Sequence, residues 1–396
     1  MKNRLSSQIR FGLTIITLIF GLGFMTGCNR APQQGLPGGS APAVIEIWYT
    51  LQGAEADNLN KQLQLIMDQH PEVLLQAKAI PEEQLAGLTY QAQAGGEGPE
   101  IFIASQQTLT KLYAQGALAA VDAQGDAFTG LVSPYRYGDK VYAQPWLTDI
   151  PLLYYRTDGV QPPPNLTYWI ETKGVMAIPS LNSNLLGLWW NGQGGKLVNG
   201  ASLTLDDPAN LLFLQQLQAW RDAKILRVDP NPQALFTNKE AVYMIAPASQ
   251  APALTQANIP WGSIPLSNLL GGQGQGLAGS TLGIANSSIK TTDALKPLIK
   301  SVEEALLKPE VEGVFAQAGS HFPASVAYYQ TPEGQKGVAP QVAESLNKLW
   351  PLTGDALEWK LLPLQDTAWQ KAWGGTAPQD ALTQAQTEAT KIAAAK

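Results

Sequence analysis

From Ala43 onward, short apolar runs of strand length alternate with longer stretches whose apolar residues recur every three or four positions. Residues 44–48 read as a buried strand, and 56–69 as a helix with Leu59, Leu63, Ile66 and Met67 on one face. His70-Pro71 stops that helix. Residues 73–79 form a second expected strand, 82–93 a second helix, and 100–104 a third strand after the turn at 95–99. A helix over 109–115 closes on Gly116, placed as a C-terminal cap. Tyr137-Gly138-Asp139-Lys140 reads as a hairpin turn leading into 141–145, and 152–155 as a further strand. In the second half, 211–224, 295–307, 342–349 and 380–394 are expected helices, while 241–245 and 282–284 are expected strands. Pro162-Pro163-Pro164 is expected to mark a break near a domain boundary. The alternation implies a doubly wound α/β architecture. At 396 residues the chain is long enough for two domains, and it contains no internal repeat.

The chain begins differently. Lys2, Arg4 and Arg10 precede an apolar run at 11–24, and small residues then lead to Cys28, the only cysteine. That layout is a secretory signal. Its end, Met25-Thr26-Gly27-Cys28, resembles the lipobox of bacterial lipoproteins, with Met25 where Leu, Val or Ile is usual. The apolar run is shorter than the roughly 20 residues a membrane-spanning helix needs, which disfavours a transmembrane anchor. An ordinary cleaved signal is the other reading. The lipobox resemblance implies removal of residues 1–27, lipidation of Cys28, and a lipid-anchored protein at the outer face of the cytoplasmic membrane or in the periplasm. Residues 28–42, rich in Gly, Pro and Gln, read as a flexible tether.

Composition narrows the partners. The formal net charge is −6, and losing the first 27 residues, with three basic and no acidic side chains, would deepen it by three. Such a surface repels nucleic acid and anionic headgroups. One cysteine allows no internal disulfide. Eleven tryptophans and twelve tyrosines supply enough aromatic surface for a stacking site, although most large aromatics belong to cores.

Three signals for chemistry fail on inspection. Residues 274–279 match GxGxxG, but a strand, not a helix, is expected after the last glycine, so the context of a dinucleotide site is missing. His70 and His321 are the only histidines, one at a helix stop and one before Phe322-Pro323, and with Cys28 they make no metal cluster or nucleophile–base pair. Glu82-Glu83 and Glu303-Glu304 read as solvated helix faces. No cofactor, metal or catalytic residue is expected, and the chain reads as a non-enzyme.

Several segments, in order, resemble the extracellular solute-binding proteins of ABC importers, family 1, the maltose-binding-protein-like class. They are Gly98-Pro99-Glu100-Ile101-Phe102, the helix ending Gly116-Ala117-Leu118, and the stretch 137–158. They continue with Trp190-Asn191-Gly192-Gln193-Gly194-Gly195, the stretch 236–247, residues 280–284, and Pro378-Gln379-Asp380-Ala381-Leu382. Two places depart from the pattern. The family's long helix after the crossover is largely lost around 165–175, and Ala246-Pro247-Ala248-Ser249 lacks an aromatic residue after the proline. The resemblance implies the two-lobed periplasmic-binding-protein fold (type II). Each lobe would be a mixed, mostly parallel sheet flanked by helices, joined by a hinge of crossover strands. The expected lobes are 43–150 with 267–325, and 151–266 with 326–396.

In such an architecture ligands bind at loops leaving the carboxyl ends of strands. A sugar needs flat apolar faces and planar polar groups. Tyr49, Gln52, Ser105, Gln106, Trp146, Thr148 and Asp149 meet that need on the first lobe, with Asn182, Trp189, Trp190, Ser249 and Ser280 completing the candidate set. Asp149 stands where sugar-binding members of the family often carry a carboxylate. Trp146 is expected either to line the cleft or to close the core. Trp189 and Trp190, if on a strand, would face opposite ways. The implied function is capture of a small solute, most simply a disaccharide, oligosaccharide or glycoside, by a monomeric lipoprotein that delivers it to an ABC permease. Its rivals are an adaptor lipoprotein with an obsolete cleft and, more remotely, a secreted glycosidase with two facing carboxylates.

Overall fold

The computed structural model describes residues 41–121, 126–270, 280–289, 292–349 and 356–394. Cys28, the signal segment, residues 28–40 of the tether and the glycine-rich stretch at 274–279 lie outside the described residues.

Local pattern and structure agree first at the amino-terminal end. Strands Ala43–Tyr49, Val73–Ala79 and Ile101–Ser105 alternate with helices Gly53–Gln69 and Glu82–Ala94. Helix Gly53–Gln69 turns Leu59, Leu63 and Ile66 onto Ile45, Ile47, Ile101 and Ile103. Their spacing puts them on one stripe, and burying each such side chain contributes about 1.5–3 kcal/mol. Gly116 follows helix Gln106–Ala114 at φ 72°, a left-handed conformation that costs a glycine nothing.

Two mixed sheets organise the rest. The first has six strands in the order Phe322–Pro323, Gln144–Asp149, Ser280–Asn286, Ile101–Ser105, Ala43–Tyr49 and Val73–Ala79. The second has five, in the order Leu226–Val228, Met176–Ile178, Tyr243–Pro247, Pro151–Arg156 and Trp261–Pro265. The chain crosses between them at Ile150 and again between Pro265 and Ser280. A strand arriving by such a crossing enters at the carboxyl ends of the parallel strands and must run against them. Ser280–Asn286 is accordingly antiparallel to both neighbours, whereas Ala43–Tyr49 is parallel to both of its own. Two of five neighbouring pairs in the first sheet and two of four in the second are parallel, so both sheets are mixed.

Pro162-Pro163-Pro164 marks no domain boundary. It falls inside the second sheet's half of the chain, between Pro151–Arg156 and Met176–Ile178, after the turn at 157–159 that ends the first of these strands. The helix that follows is short, Leu166–Thr172, with the Asn165 side chain accepting from the Tyr168 N–H at 2.8 Å. The larger difference is at residues 183–192. They form the helix Ser183–Gly192, capped by Asn182, instead of a strand.

Each sheet carries its own core, and a third cluster spans the crossing. Around the second sheet, Trp189 stacks on Trp220 with ring centroids 4.9 Å apart, and Trp169 meets both edge-on. The third cluster joins Ile150, Leu152 and Tyr154 to Phe128, Phe236, Met244 and Phe322. Among the described residues no helix is long and apolar enough to cross a membrane.

Candidate functional site

Parallel pairing brings the loops after Ala43–Tyr49, Val73–Ala79 and Ile101–Ser105 to one edge of the first sheet. Ser280 joins them there, because the antiparallel register sets it opposite Asp149 and Leu282 opposite Ser105. A cavity of about 390 Å³ opens at this edge, within the range of small-ligand sites. Thr50, Leu51 and Gln52 line it from the first loop, Glu55 from the helix that follows, and Glu82 from the start of helix Glu82–Ala94. Ser105, Gln107, Ser280, Leu282 and His321 complete the wall. Every lining residue thus comes from the domain of the first sheet. A larger cavity of about 650 Å³, walled by Pro252, Trp261, Phe322, Tyr328 and Val338, is mostly apolar and suits a hydroxyl-rich ligand less well.

Two acidic groups set the electrostatics of the smaller cavity. Ser105 Oγ and Thr108 Oγ1 both donate to Glu82 Oε1, and Ser105 Oγ also accepts from the Thr108 N–H at 3.2 Å, capping helix Gln106–Ala114. Glu55 Oε1 contacts His321 Nδ1, with side chains 19% and 16% exposed. Burial alone would raise the Glu55 carboxyl, yet the hydrogen bond and charge of His321 hold it below the usual carboxylate range. Burial alone would likewise lower His321, but Glu55, aided by Asp149, raises it, which favours a protonated imidazole facing the carboxylate.

Asp149 ends the strand Gln144–Asp149 beside Ser280. Its carboxylate accepts from the Ser249 N–H at 3.1 Å and the Ser249 hydroxyl at 2.5 Å. Ser249 follows strand Tyr243–Pro247 of the second sheet, so these bonds tie the two domains together at the crossing. Burial pushes Asp149 up to about 6, against the Ser249 bonds and the charge of His321.

The structure brings Gln52, Ser105 and Ser280 of the expected set into the cavity. The others lie elsewhere. Tyr49 is 4% exposed and packs in the first core, its hydroxyl accepting from Asn60 Nδ2 at 3.3 Å. Gln106 is buried, and its neighbour Gln107 faces the cavity instead. Thr148 is buried and bonds Thr281 Oγ1 and the Ser280 carbonyl. Trp146 closes the core, donating to the Leu306 carbonyl at 2.9 Å and meeting Phe315 edge-on. Asn182 caps its helix and donates to Ser180 Oγ at 2.7 Å. Ser249 is engaged by Asp149. Trp189 and Trp190, on one helix, are both buried in the second core, and Trp190 Nε1 donates to Asn210 Oδ1 at 2.7 Å.

Thr50, Leu51, Glu55, Glu82, Gln107, Leu282 and His321 line the cavity although sequence reasoning did not select them. Glu82 begins the helix directly after strand Val73–Ala79 and Ile80-Pro81, so the loop rule that chose the neighbouring loops applies to it equally. It is no solvated helix face, although Glu83 beside it is exposed. His321 precedes the two-residue strand Phe322–Pro323, a pairing with Gln144–Asp149 that has no periodic signature. Among the described residues, no group of three or more His, Cys, Asp or Glu side chains is placed to hold a metal ion.

No protein-family model matches the sequence, and no curated protein does either. Solved structures match over most of the chain. The maltose/maltodextrin-binding domain MalE from Bdellovibrio bacteriovorus, bound to maltotriose, aligns with TM-score 0.70 and 19% identity over 88% of this chain and 99% of that domain. A cyclo/maltodextrin-binding protein complexed with maltotetraose gives 0.76 at 14% identity, covering 90% of this chain and 98% of its own. The GacH receptor of Streptomyces glaucescens, solved unliganded and with acarbose, gives 0.71 at 17% identity, covering 89% and 99%. The chain has the two-domain fold of the maltose-binding proteins.

Proposed function

We propose that this chain is the substrate-binding subunit of an ABC importer, tethered to the membrane through lipidated Cys28, that captures a saccharide and hands it to the permease. The observation that carries the reading is the cavity at the strand ends, lined from one domain only and beside a crossing bridged by Asp149 and Ser249. Solved proteins of this fold hold oligosaccharides. The lobes are then 43–150 with 267–325, and 151–266 with 326–396. The saccharide docks on the first lobe, where Gln52, Ser105, Gln107 and Ser280 meet its hydroxyls. The second lobe then swings over it and covers the opposite face of the ligand. Only contacts made in the closed state can drive that movement.

Among the described residues no Trp, Tyr or Phe ring lines the cavity, so affinity rests on hydrogen bonds. Neutral ones contribute about 0.5–1.5 kcal/mol each, and those to a charged group about 1.5–3. A micromolar dissociation constant corresponds to about −8 kcal/mol, within reach of five or six such bonds. The chain performs no reaction. Both oxygens of Asp149, the raised carboxyl nearby, are engaged by Ser249, so this acid is not free to act on a ligand in the cavity.

Calorimetric titration of the domain from residue 43 onward with mono-, di- and oligosaccharides tests the reading. Binding to at least one saccharide, weakened by Gln52→Ala and Gln107→Ala, is expected. Silence across sugars together with tight binding of another solute class would reject it. The missing aromatic ring also favours a second reading, an adaptor lipoprotein whose cleft no longer serves transport. That protein would bind no solute at all.

A further inference from the structure

The charge of the cavity goes further than its hydroxyl count. Glu55 is paired with His321, which leaves Glu82 as the acidic side chain on the wall without a basic partner among the described residues. Its only partners are the hydroxyls of Ser105 and Thr108, and both bind Oε1. Among the described residues nothing bonds Oε2. No Lys or Arg lines the cavity, and residues 271–279, which run up to Ser280, contain no charged side chain. Asp149, paired in register with Ser280, adds further negative character at the same edge.

A neutral polyol would donate a charge-assisted hydrogen bond to Glu82 Oε2 but leave the net charge unanswered. A half-buried carboxylate rewards a cation more, since an ammonium adds the attraction of an opposite charge at contact distance to the same hydrogen bond. The wall also lacks the aromatic faces that would otherwise hold a sugar ring by stacking. We infer that the preferred ligand is an amino sugar, or a similar hydroxylated amine with one protonated nitrogen, whose ammonium pairs with Glu82 while Gln52, Gln107 and Ser280 take the hydroxyls. Glu82 is then the residue that sets specificity, and anionic sugars are excluded. This inference rests on the saccharide-binding reading above and deepens it.

Matched pairs of ligands separate the two. Glucose against glucosamine, and cellobiose against the disaccharide of glucosamine, are titrated calorimetrically at pH 7 into the same domain, with the N-acetylated sugars as a third arm. The amine member of each pair is expected to bind at least tenfold more tightly than its neutral partner. N-acetylation, which removes the positive charge but keeps the nitrogen, abolishes the preference. In Glu82→Gln the amide oxygen retains the Ser105 and Thr108 bonds, so the melting temperature stays close to that of the parent while the preference falls toward one. Equal affinity for neutral and amine members, or a preference that survives Glu82→Gln, overturns the inference and leaves the saccharide reading intact. Absence of binding by every sugar, neutral, amine or acetylated, overturns both.

Discussion

The two domains invest their side chains differently. The first gathers ionisable and hydroxyl groups at the ends of its strands: Glu55, Glu82, Ser105, Asp149 and His321 all lie at one sheet edge. The second invests in packing, with Trp169, Trp189 and Trp220 in mutual ring contact and Trp190 against Trp369. Of its loop residues, Asn182 is engaged in a helix cap and with Ser180, and Ser249 in the Asp149 bridge. A division of labour follows, with one domain supplying recognition and the other a rigid body that closes.

The sharpest way to break that contrast is to hollow out the second core. Trp189→Ala removes a ring stacked on Trp220 and is expected to cost about 3–5 kcal/mol in denaturant unfolding. Ligand affinity of the folded protein should change less than threefold. A large affinity loss with unchanged stability would put Trp189 at the ligand and undo the division.

Titration sharpens the contrast next. Besides Asp149, the first domain buries Glu303, pushed up to about 7 by burial, and Glu312, pushed well above its ordinary value. An acid whose folded value exceeds its unfolded one is penalised when ionised, so stability rises as pH falls through that folded value. His321, also raised, contributes stability that is complete below its ordinary 6.5 and fades as pH climbs through its folded value. The second domain adds one group of this kind, Asp366, raised to about 6 by burial against its bonds from Ser183. The melting temperature should therefore fall between about pH 5 and about pH 8. Glu55, held low by His321, opposes this only at more acid pH, because its contribution is lost as pH falls below the carboxylate range. Glu303→Gln removes a carboxylate 2% exposed and should stabilise at pH 8 by on the order of 2 kcal/mol, flattening the slope. A melting temperature independent of pH over that interval would show that these groups are solvated after all.

The smallest effects belong to single wall residues. Gln52→Ala and Gln107→Ala should each weaken ligand binding by about 0.5–1.5 kcal/mol, roughly two- to tenfold, with no change in melting temperature. Asn182→Ala in the second domain should act the other way round. It loses a helix cap worth about 1 kcal/mol of stability while leaving affinity on the first lobe nearly untouched. Equal affinity losses at all three positions would mean that both domains recognise the ligand in the open state.

Periodicity made the early elements legible, because helix Gly53–Gln69 and strand Val73–Ala79 each carry a local pattern that needs no tertiary context. It failed at Trp189-Trp190. The helix Ser183–Gly192 is apolar nearly all round, and its signal was Asn182, an N-cap residue three positions before Leu185. Helix Ala356–Trp373 contains Pro363, which reads as a stop. The glycine after helix Ser183–Gly192 has a steric reason: a Cβ at Gly195 would lie 1.9 Å from Trp190 Nε1. At the cavity, the strand ends were legible from the architecture, but the side chains that face it were not. Residues 144–148 of strand Gln144–Asp149 are buried on both faces, so alternation does not reveal whether Trp146 or Thr148 points outward. Glu55 and His321, 266 residues apart, meet only through the fold.

Small-angle X-ray scattering on the domain from residue 43 onward, free and saturated with the tightest saccharide found by titration, examines the hinged clamp itself. The radius of gyration should fall on saturation as the second domain closes over the first. An unchanged value at full occupancy would mean that the two sheets form a rigid body and that the cavity binds without closure.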